Sequence, residues 1–560
     1  YFTPARLINI SSILKIKLLV ALCLMALPVL YGNAQQLVLP GANPDPSIVK
    51  IGDTYWASAT SSNWFPAFPL LYSKDLINWK QKGYVFNKMP AWADYYFWAP
   101  EISYDSGKVF IYYTAHKKNG SLCVGVASAT NPEGPYKDHG PLICQEAGSI
   151  DAFPMRDTTG KLYLIWKEDA NSINRPTPIW ACEMNEERTA LIGEKTELFR
   201  NDAPWEKELV EGVSMIKHGN YFYAFYAAAG CCGSRCTYIT GVARAKSVVG
   251  PWEKYNKNPV LTDRGNWLCK GHGTPFEKGG RFFFLYHGFD RETSAFTGRE
   301  GLLQEFKFTP DEWIEFVETR QDSIKRQDII KDEFNGNKLN ENWQWSVFKQ
   351  PKYELKDGRL QLYGLPQGSG SFIGQRISSA DYTATTAVDA ENSGAFAGIA
   401  AIGTDENILM LLTKDNQIKV VQMKDGIDSL VSLIRIPAIG KVYLQMRVTG
   451  LYRVSFLYSL NGKNFIPINR TPLRGVYLPP WDNPPRAGLI SKGSVREKAI
   501  FEGFELRAGI LNSTDLSGAV IGENRLEGIL YLLAAVAITW LLILVFKRLL
   551  QRKANKPLLL

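Results

Sequence analysis

Three carboxylates in this 560-residue chain stand where short strands begin. They are Asp45 in Asn43-Pro44-Asp45-Pro46-Ser47, Asp151 in Ser149-Ile150-Asp151, and Glu211 in Val210-Glu211-Gly212. Two other polar residues open comparable segments: Glu101 in Trp98-Ala99-Pro100-Glu101-Ile102 and His272 in Gly271-His272-Gly273. Converging carboxyl groups can carry out acid–base hydrolysis. One activates water and another protonates the leaving oxygen; for a glycosidic bond cleaved with inversion the two stand roughly 6.5–9.5 Å apart. A third carboxylate beside the acid raises its pKa by like-charge repulsion. Each residue alone has a plainer reading. Asp45 is a turn residue between prolines, Asp151 a turn cap, Glu211 a solvated strand-end charge, and Glu101 a structural group after Pro100. His272 is either a packed imidazole or an axial ligand of an ion or water. Their shared register is what points to chemistry.

That register needs elements to hold it. Each of the five residues precedes a short strand, a Gly-containing turn and an aromatic-rich strand, such as Tyr221-Phe222-Tyr223-Ala224-Phe225-Tyr226. The five are 50 to 61 residues apart. Aromatic and β-branched enrichment makes these segments strands. Repetition at this period, lengthened by loops, predicts a five-bladed β-propeller over residues 36–325. The turns Asn131-Pro132-Glu133-Gly134-Pro135 and Val249-Gly250-Pro251-Trp252 echo each other late in blades two and four. The inner strand of each blade lines the channel, so residues at strand starts meet at one end of the axis.

From about residue 330 the texture changes to short strands such as Arg359-Leu360-Gln361-Leu362-Tyr363, closing on Phe501-Glu502-Gly503-Phe504-Glu505-Leu506. This predicts an antiparallel β-sandwich over 330–507. The expected fold class is all-β, a propeller followed by a sandwich, with a C-terminal transmembrane helix. Residues 508–527 read as a linker, the 19 uncharged residues 528–546 as the span, and 547–560 as a basic cytoplasmic tail. At the other end, residues 1–34 read as a secretory signal, with basic residues, an apolar run over 18–30 and Gly32-Asn33-Ala34 as cleavage site. The expectation is therefore an exported protein tethered to the membrane by its C-terminal helix.

The net charge of +9 is concentrated in these ends: Arg6, Lys15 and Lys17 at one, Lys547, Arg548, Arg552, Lys553 and Lys556 at the other. The near-neutral body argues against nucleic acid as a partner. Aromatics at 12% suit a carbohydrate-stacking cleft. Of eight cysteines, Cys23 falls in the signal. The odd remainder leaves at least one free thiol, and a disulfide is plausible among Cys231, Cys232 and Cys236.

The first 320 or so residues resemble glycoside hydrolase family 43. The motifs quoted above carry the resemblance, together with Ser73-Lys74-Asp75-Leu76-Ile77-Asn78-Trp79 and Gly298-Arg299-Glu300. Region 330–507 resembles the concanavalin-like sandwich of the β-xylosidase and α-L-arabinofuranosidase branch. The resemblance implies Asp45 as general base, Glu211 as general acid and Asp151 as pKa modulator. It also implies sugar contacts from Arg299, a pocket wall at Trp98, and His272 near an axial, structural Ca²⁺ reached through water; no cofactor is required for the reaction. Phe153, Trp64 and Phe65 are further expected substrate contacts. Two positions depart from the pattern: Ala152 follows Asp151 and Val213 follows Gly212, where proline is frequent.

Loop signals divide. Cys231-Cys232-Gly233-Ser234-Arg235-Cys236 is similar to a loop of arabinan-cleaving members, whereas Ser62-Asn63-Trp64-Phe65-Pro66 is similar to exo-acting β-xylosidases. The appended sandwich agrees with the second. The expected function is an inverting exo-glycosidase releasing terminal α-L-arabinofuranosyl or β-D-xylosyl units. An endo-1,5-α-L-arabinanase, a galactofuranosidase and a non-catalytic carbohydrate-binding propeller are the alternatives.

Overall fold

The computed structural model describes residues 35–317 and 329–508, apart from Ser234, Arg264 and Asp482. Within them lie five antiparallel blades followed by a sandwich of two larger sheets. The inner blade strands are Ser47–Ile51, Ala93–Asp105, Ser149–Arg156, Val210–His218 and Trp267–Lys278. Each neighbours the next around the ring, and the fifth returns to the first. The ring is closed by the start of the described chain: Gln36–Leu39 pairs antiparallel with Glu300–Phe308 and supplies the outer strand of blade five.

The blade strands read as continuous apolar runs because both of their faces are covered. Tyr221–Ala228 is buried along its length from Phe222 onward. Blades two and four repeat one packing solution. A Cβ at Gly125 would lie 2.7 Å from Trp92 and 2.9 Å from Tyr113; one at Gly241 would lie 2.5 Å from Trp205 and 2.8 Å from Tyr226. Only glycine lets these ring pairs sit against the third strand of their blade. The sandwich strands alternate instead, as in Arg359–Tyr363, where Leu360 and Leu362 point inward. Lys498–Ala508 is the centre of one sheet, pairing with Arg359–Tyr363, Tyr382–Asp389 and Ile329–Asp332.

Sandwich and propeller share a core. Trp64–Phe65 pairs with Trp345–Ser346 as a two-stranded sheet across the seam. Gln344 Nε2 donates to the Pro66 carbonyl at 3.1 Å. Phe65, Phe68 and Phe97 of the propeller join Trp343, Trp345 and Ile373 of the sandwich in one apolar cluster. Trp64 packs on Phe372, with the Arg486 guanidinium over its ring.

The fold class expected from sequence is corrected at the C-terminus. The described structure is all-β, and among the described residues no helix is long and apolar enough to cross a membrane. The expected signal at 1–34, the linker from residue 509 onward, the span at 528–546 and the tail lie outside the described residues. Among the described residues three disulfides are formed: Cys123–Cys144, Cys231–Cys232 and Cys236–Cys269. Cys182 is buried with a free thiol.

A shared core predicts joint unfolding. Phe65→Ala is expected to cost about 3–5 kcal/mol, and urea denaturation should follow one transition by both tryptophan fluorescence and far-UV dichroism. Two separate transitions in the unsubstituted protein would contradict a common core.

Candidate active site

The inner strands do not enter the ring smoothly. Each has a left-handed residue in or just before it: Asp45 (φ 51°), Ala99 (φ 43°), Asp151 (φ 58°), Gly212 (φ 61°) and His272 (φ 41°). Strand register shifts at the last four, between Trp98 and Glu101, Ile150 and Phe153, Glu211 and Ser214, and Gly271 and Gly273. Such bulges re-aim side chains. Here they turn Asp151, Glu211 and His272 toward one another and toward Asp45. Gly212 is required on a second count, since a Cβ there would fall 2.7 Å from His272 Cγ.

Asp45 is the most tightly held group. Its Oδ1 accepts from Arg299 at 2.8 Å and its Oδ2 from Thr60 Oγ1 at 2.7 Å. Thr60 Oγ1 in turn accepts the Ala99 N–H at 2.6 Å. The Asp45 N–H donates to His287 Nδ1 at 3.0 Å, which fixes the proton of that neutral imidazole on Nε2. Burial, with Arg299 beside it, pushes the His287 pKa down to about 4. Burial alone would raise Asp45, but the Arg299 guanidinium and the His272 imidazolium hold its carboxyl well below the usual range.

His272 Nδ1 lies 3.4 Å from Asp45 Oδ1 and 3.8 Å from Asp151 Oδ2. Burial would depress its pKa; the Asp151 and Asp45 carboxylates outweigh that and push it up to about 9. Asp151 Oδ2 also accepts the Gly212 N–H at 3.0 Å. Its pKa is pushed up to about 6, by burial first and then by repulsion from Glu211 and Asp45, against the pull of His272 and Lys167. Glu211 receives Lys167 Nζ at 2.6 Å on Oε2 and Tyr238 OH at 2.9 Å on Oε1. Lys167, 1% exposed, also binds Asp169 at 2.8 Å. Burial would lower its pKa, but these carboxylates raise it.

The sequence-predicted residues divide into two groups. Asp45, Asp151, Glu211, His272 and Arg299 come together, with Arg299 bonded to Asp45. Trp98 stands half-buried beside them, its Nε1–H donating to Ser62 Oγ at 3.2 Å. Glu101 accepts from Thr274 at 3.1 Å, and burial pushes its pKa up to about 8. Phe153, Trp64 and Phe65, expected as substrate contacts, are buried in packing instead. Phe153 lies in the apolar cluster between blades three and four, and the other two pair with the sandwich strand at the seam.

Lys167, Tyr238, His287 and Thr60 were not singled out by sequence. Lys167 continues the buried run Leu162-Tyr163-Leu164-Ile165-Trp166 and His287 ends Phe282-Phe283-Phe284-Leu285-Tyr286. A polar residue extending an apolar strand was the available signal. His272, expected near an axial Ca²⁺ reached through water, has its Nδ1 facing the Asp45 and Asp151 carboxylates. Among the described residues no group of three His, Cys, Asp or Glu side chains stands close enough to share an ion.

A five-bladed ring with this carboxylate cluster defines a carbohydrate-active hydrolase fold. Residues 34–314 match the profile of Glycosyl hydrolases family 43, and residues 331–478 match the Beta xylosidase C-terminal Concanavalin A-like domain. The chain belongs to glycosyl hydrolases family 43 and is a glycoside hydrolase; catalysis in this family needs no cofactor. It is 27% identical to a β-xylosidase of Bacillus subtilis, over 68% of this chain and 79% of the relative. It is 24% identical to a non-reducing end α-L-arabinofuranosidase of Bacteroides ovatus, over 74% and 82%. Among solved structures, a family 43 protein of Bacillus licheniformis superposes with a TM-score of 0.72 at 23% identity, covering 85% of this chain and all of that one.

The site charges make stability pH-dependent. The folded His272 pKa of about 9 exceeds its ordinary value of 6.5. Its contribution is therefore fully present below pH 6.5 and lost as pH rises through 9. That amounts to about 3 kcal/mol. His272→Gln should flatten the fall in unfolding free energy between these pH values, measured by urea titration at each pH.

Proposed function

We propose that this chain is an inverting exo-glycosidase releasing terminal α-L-arabinofuranosyl or β-D-xylosyl units from plant-type polysaccharides or oligosaccharides. One observation carries the reading: a single imidazole bridges two buried carboxylates that are driven in opposite directions. Asp45 is held far below the usual range while Asp151 is pushed up to about 6. At pH 5, then, Asp45 is an anion and Asp151 retains its proton.

In the proposed mechanism Asp45 takes a proton from water as its oxygen attacks the anomeric carbon. Glu211 gives its proton to the glycosidic oxygen, which leaves with the electron pair of the broken C–O bond. Glu211 becomes an anion in that step. Lys167 Nζ and Tyr238 OH are already aimed at its two oxygens and stabilise the charge where it develops. Asp151, fixed by the Gly212 N–H, keeps the proton available to Glu211 beforehand. Arg299 holds Asp45 in place and reaches the bound sugar.

The activities of the two relatives, β-xylosidase and α-L-arabinofuranosidase, support the sugar class. Trp481 of the sandwich meets Trp98 of the propeller, with ring centroids 5.8 Å apart, which supports a narrowed mouth and exo action. The three disulfides support an oxidising compartment, hence export.

Asp45→Asn and Glu211→Gln should each lower kcat by roughly 10²–10⁴-fold, with far-UV dichroism and Tm close to the parent. Full activity of Glu211→Gln on a substrate with an unactivated leaving group would overturn the assignment. Proton NMR of the first product formed should show the inverted anomer; the retained anomer would exclude Asp45 as base.

The kcat/KM profile should fall as pH rises through about 6, where Asp151 loses its proton. The acid limb should lie below the ordinary carboxylate range, set by Asp45. Asp151→Asn removes that titrating group, so the alkaline limb near pH 6 should be lost. A limb unmoved by that substitution would separate Asp151 from the acid.

A further inference from the structure

The inner strand of blade two breaks register three times between Ala93 and Glu101. Tyr96 has φ 56°, a costly backbone for an aromatic residue. Side chains along a regular strand alternate between faces; here Tyr96 is turned to stack on Trp98, with centroids 4.4 Å apart and planes at 24°. Tyr95 meets Tyr96 edge-on at 4.7 Å and lies flat on His116 at 4.1 Å and 11°. Polar groups lock these rings. Asn63 Oδ1 accepts the Tyr96 N–H at 3.1 Å, and Asp94 holds His116 at 2.8 Å.

The sandwich extends the row. Trp481 meets Trp98 at 5.8 Å, and Phe348 meets Tyr95 at 5.9 Å. Trp481 is 53% exposed and Phe348 59% exposed, while Tyr95, Tyr96 and Trp98 are half-buried. Large rings exposed together and held rigid by costly backbone geometry are a binding feature rather than leftover surface.

We propose that these rings form a binding row for the sugar units on the leaving-group side of the scissile bond. Sugar rings offer apolar C–H faces and hydroxyl edges. Flat, pre-positioned aromatic side chains take such faces at little entropic cost, and the partly exposed Asp94 carboxylate can accept from a hydroxyl. The direction follows from continuity with the site. Trp98 precedes Ala99, whose N–H binds Thr60, which binds Asp45. The row therefore starts at the wall of the pocket enclosing the terminal sugar and leads outward across the seam, where the remainder of the chain must emerge. This inference rests on the glycosidase reading of that pocket.

The test uses the full chain and the variants Tyr95→Ala and Phe348→Ala, neither of which touches the carboxylates. On aryl arabinofuranosides and xylosides, kcat/KM should stay within about twofold of the parent. On arabino- and xylo-oligosaccharides of four to six units, KM should rise about 3- to 10-fold per ring removed, with kcat little changed. Tyr95→Phe should restore most of the loss. Equal losses on aryl and oligomeric substrates, or none on the oligomers, would overturn the row. Retardation of the parent in gels containing soluble arabinoxylan, weakened in the variants, reads the row independently of turnover. A parent that is retarded but hydrolyses no pentoside would sink the proposed function and leave the row standing. A parent that is not retarded, with unaltered oligomer KM in the variants, would sink the row.

Discussion

Several carboxylates cannot stay charged together in a buried site unless cations are built in among them. At an effective dielectric of about 20, two like charges 4 Å apart repel by on the order of 4 kcal/mol. Asp45, Asp151 and Glu211 are each less than 10% exposed. The chain answers with Arg299 on Asp45, Lys167 on Glu211 and the His272 imidazolium between Asp45 and Asp151. The distribution is uneven, and that unevenness produces chemistry. Asp45 has a guanidinium, a hydroxyl and two imidazoles around it, whereas Asp151 has a backbone N–H and a shared imidazole. Two groups of one chemical type therefore acquire opposite proton affinities a few ångströms apart.

This charge arrangement depends on backbone geometry. Had the inner strands run regularly, Asp45, Asp151 and His272 would have followed the alternation of the sheet. A left-handed residue breaks that alternation in blades two to five, and in blade one it falls just before the strand, at Asp45. Aspartate tolerates this conformation better than most residues, and Gly212 adopts it freely. Glu211 reaches the centre because the inversion falls on the glycine after it, and that glycine's N–H then binds Asp151. One backbone device thus orients the third carboxylate and connects it to the second.

The blades and carboxylates were legible because both are written locally: an acidic or polar residue, a turn, then an aromatic strand, repeated five times. What escaped was set by distance along the chain. His287 bonds a residue 242 positions away, and Lys167 one 44 positions away. Nothing around either residue encodes that meeting. The outer strand of blade five was hidden likewise, because Gln36–Leu39 finds its partner near residue 302. Trp64 and Phe65 misled for another reason. Aromatic residues in a loop near the site suit a sugar wall and a domain seam equally well. The choice was made by Trp345, nearly 300 residues later.

The seam also changes what the sandwich does. Its Arg376 donates to the Ala42 carbonyl and to Asn43 Oδ1, two residues before Asp45. Its Pro484 fills the space against Gly298, where a Cβ would come within 2.8 Å, one residue before Arg299. Both members of the Asp45–Arg299 pair are thus carried on segments that the sandwich presses from outside. The propeller closes its own ring through Gln36–Leu39, but the segment leading from that strand to Asp45 is pinned by another domain. The sandwich is therefore part of the support for the ion pair at the centre of the site, besides contributing to its mouth.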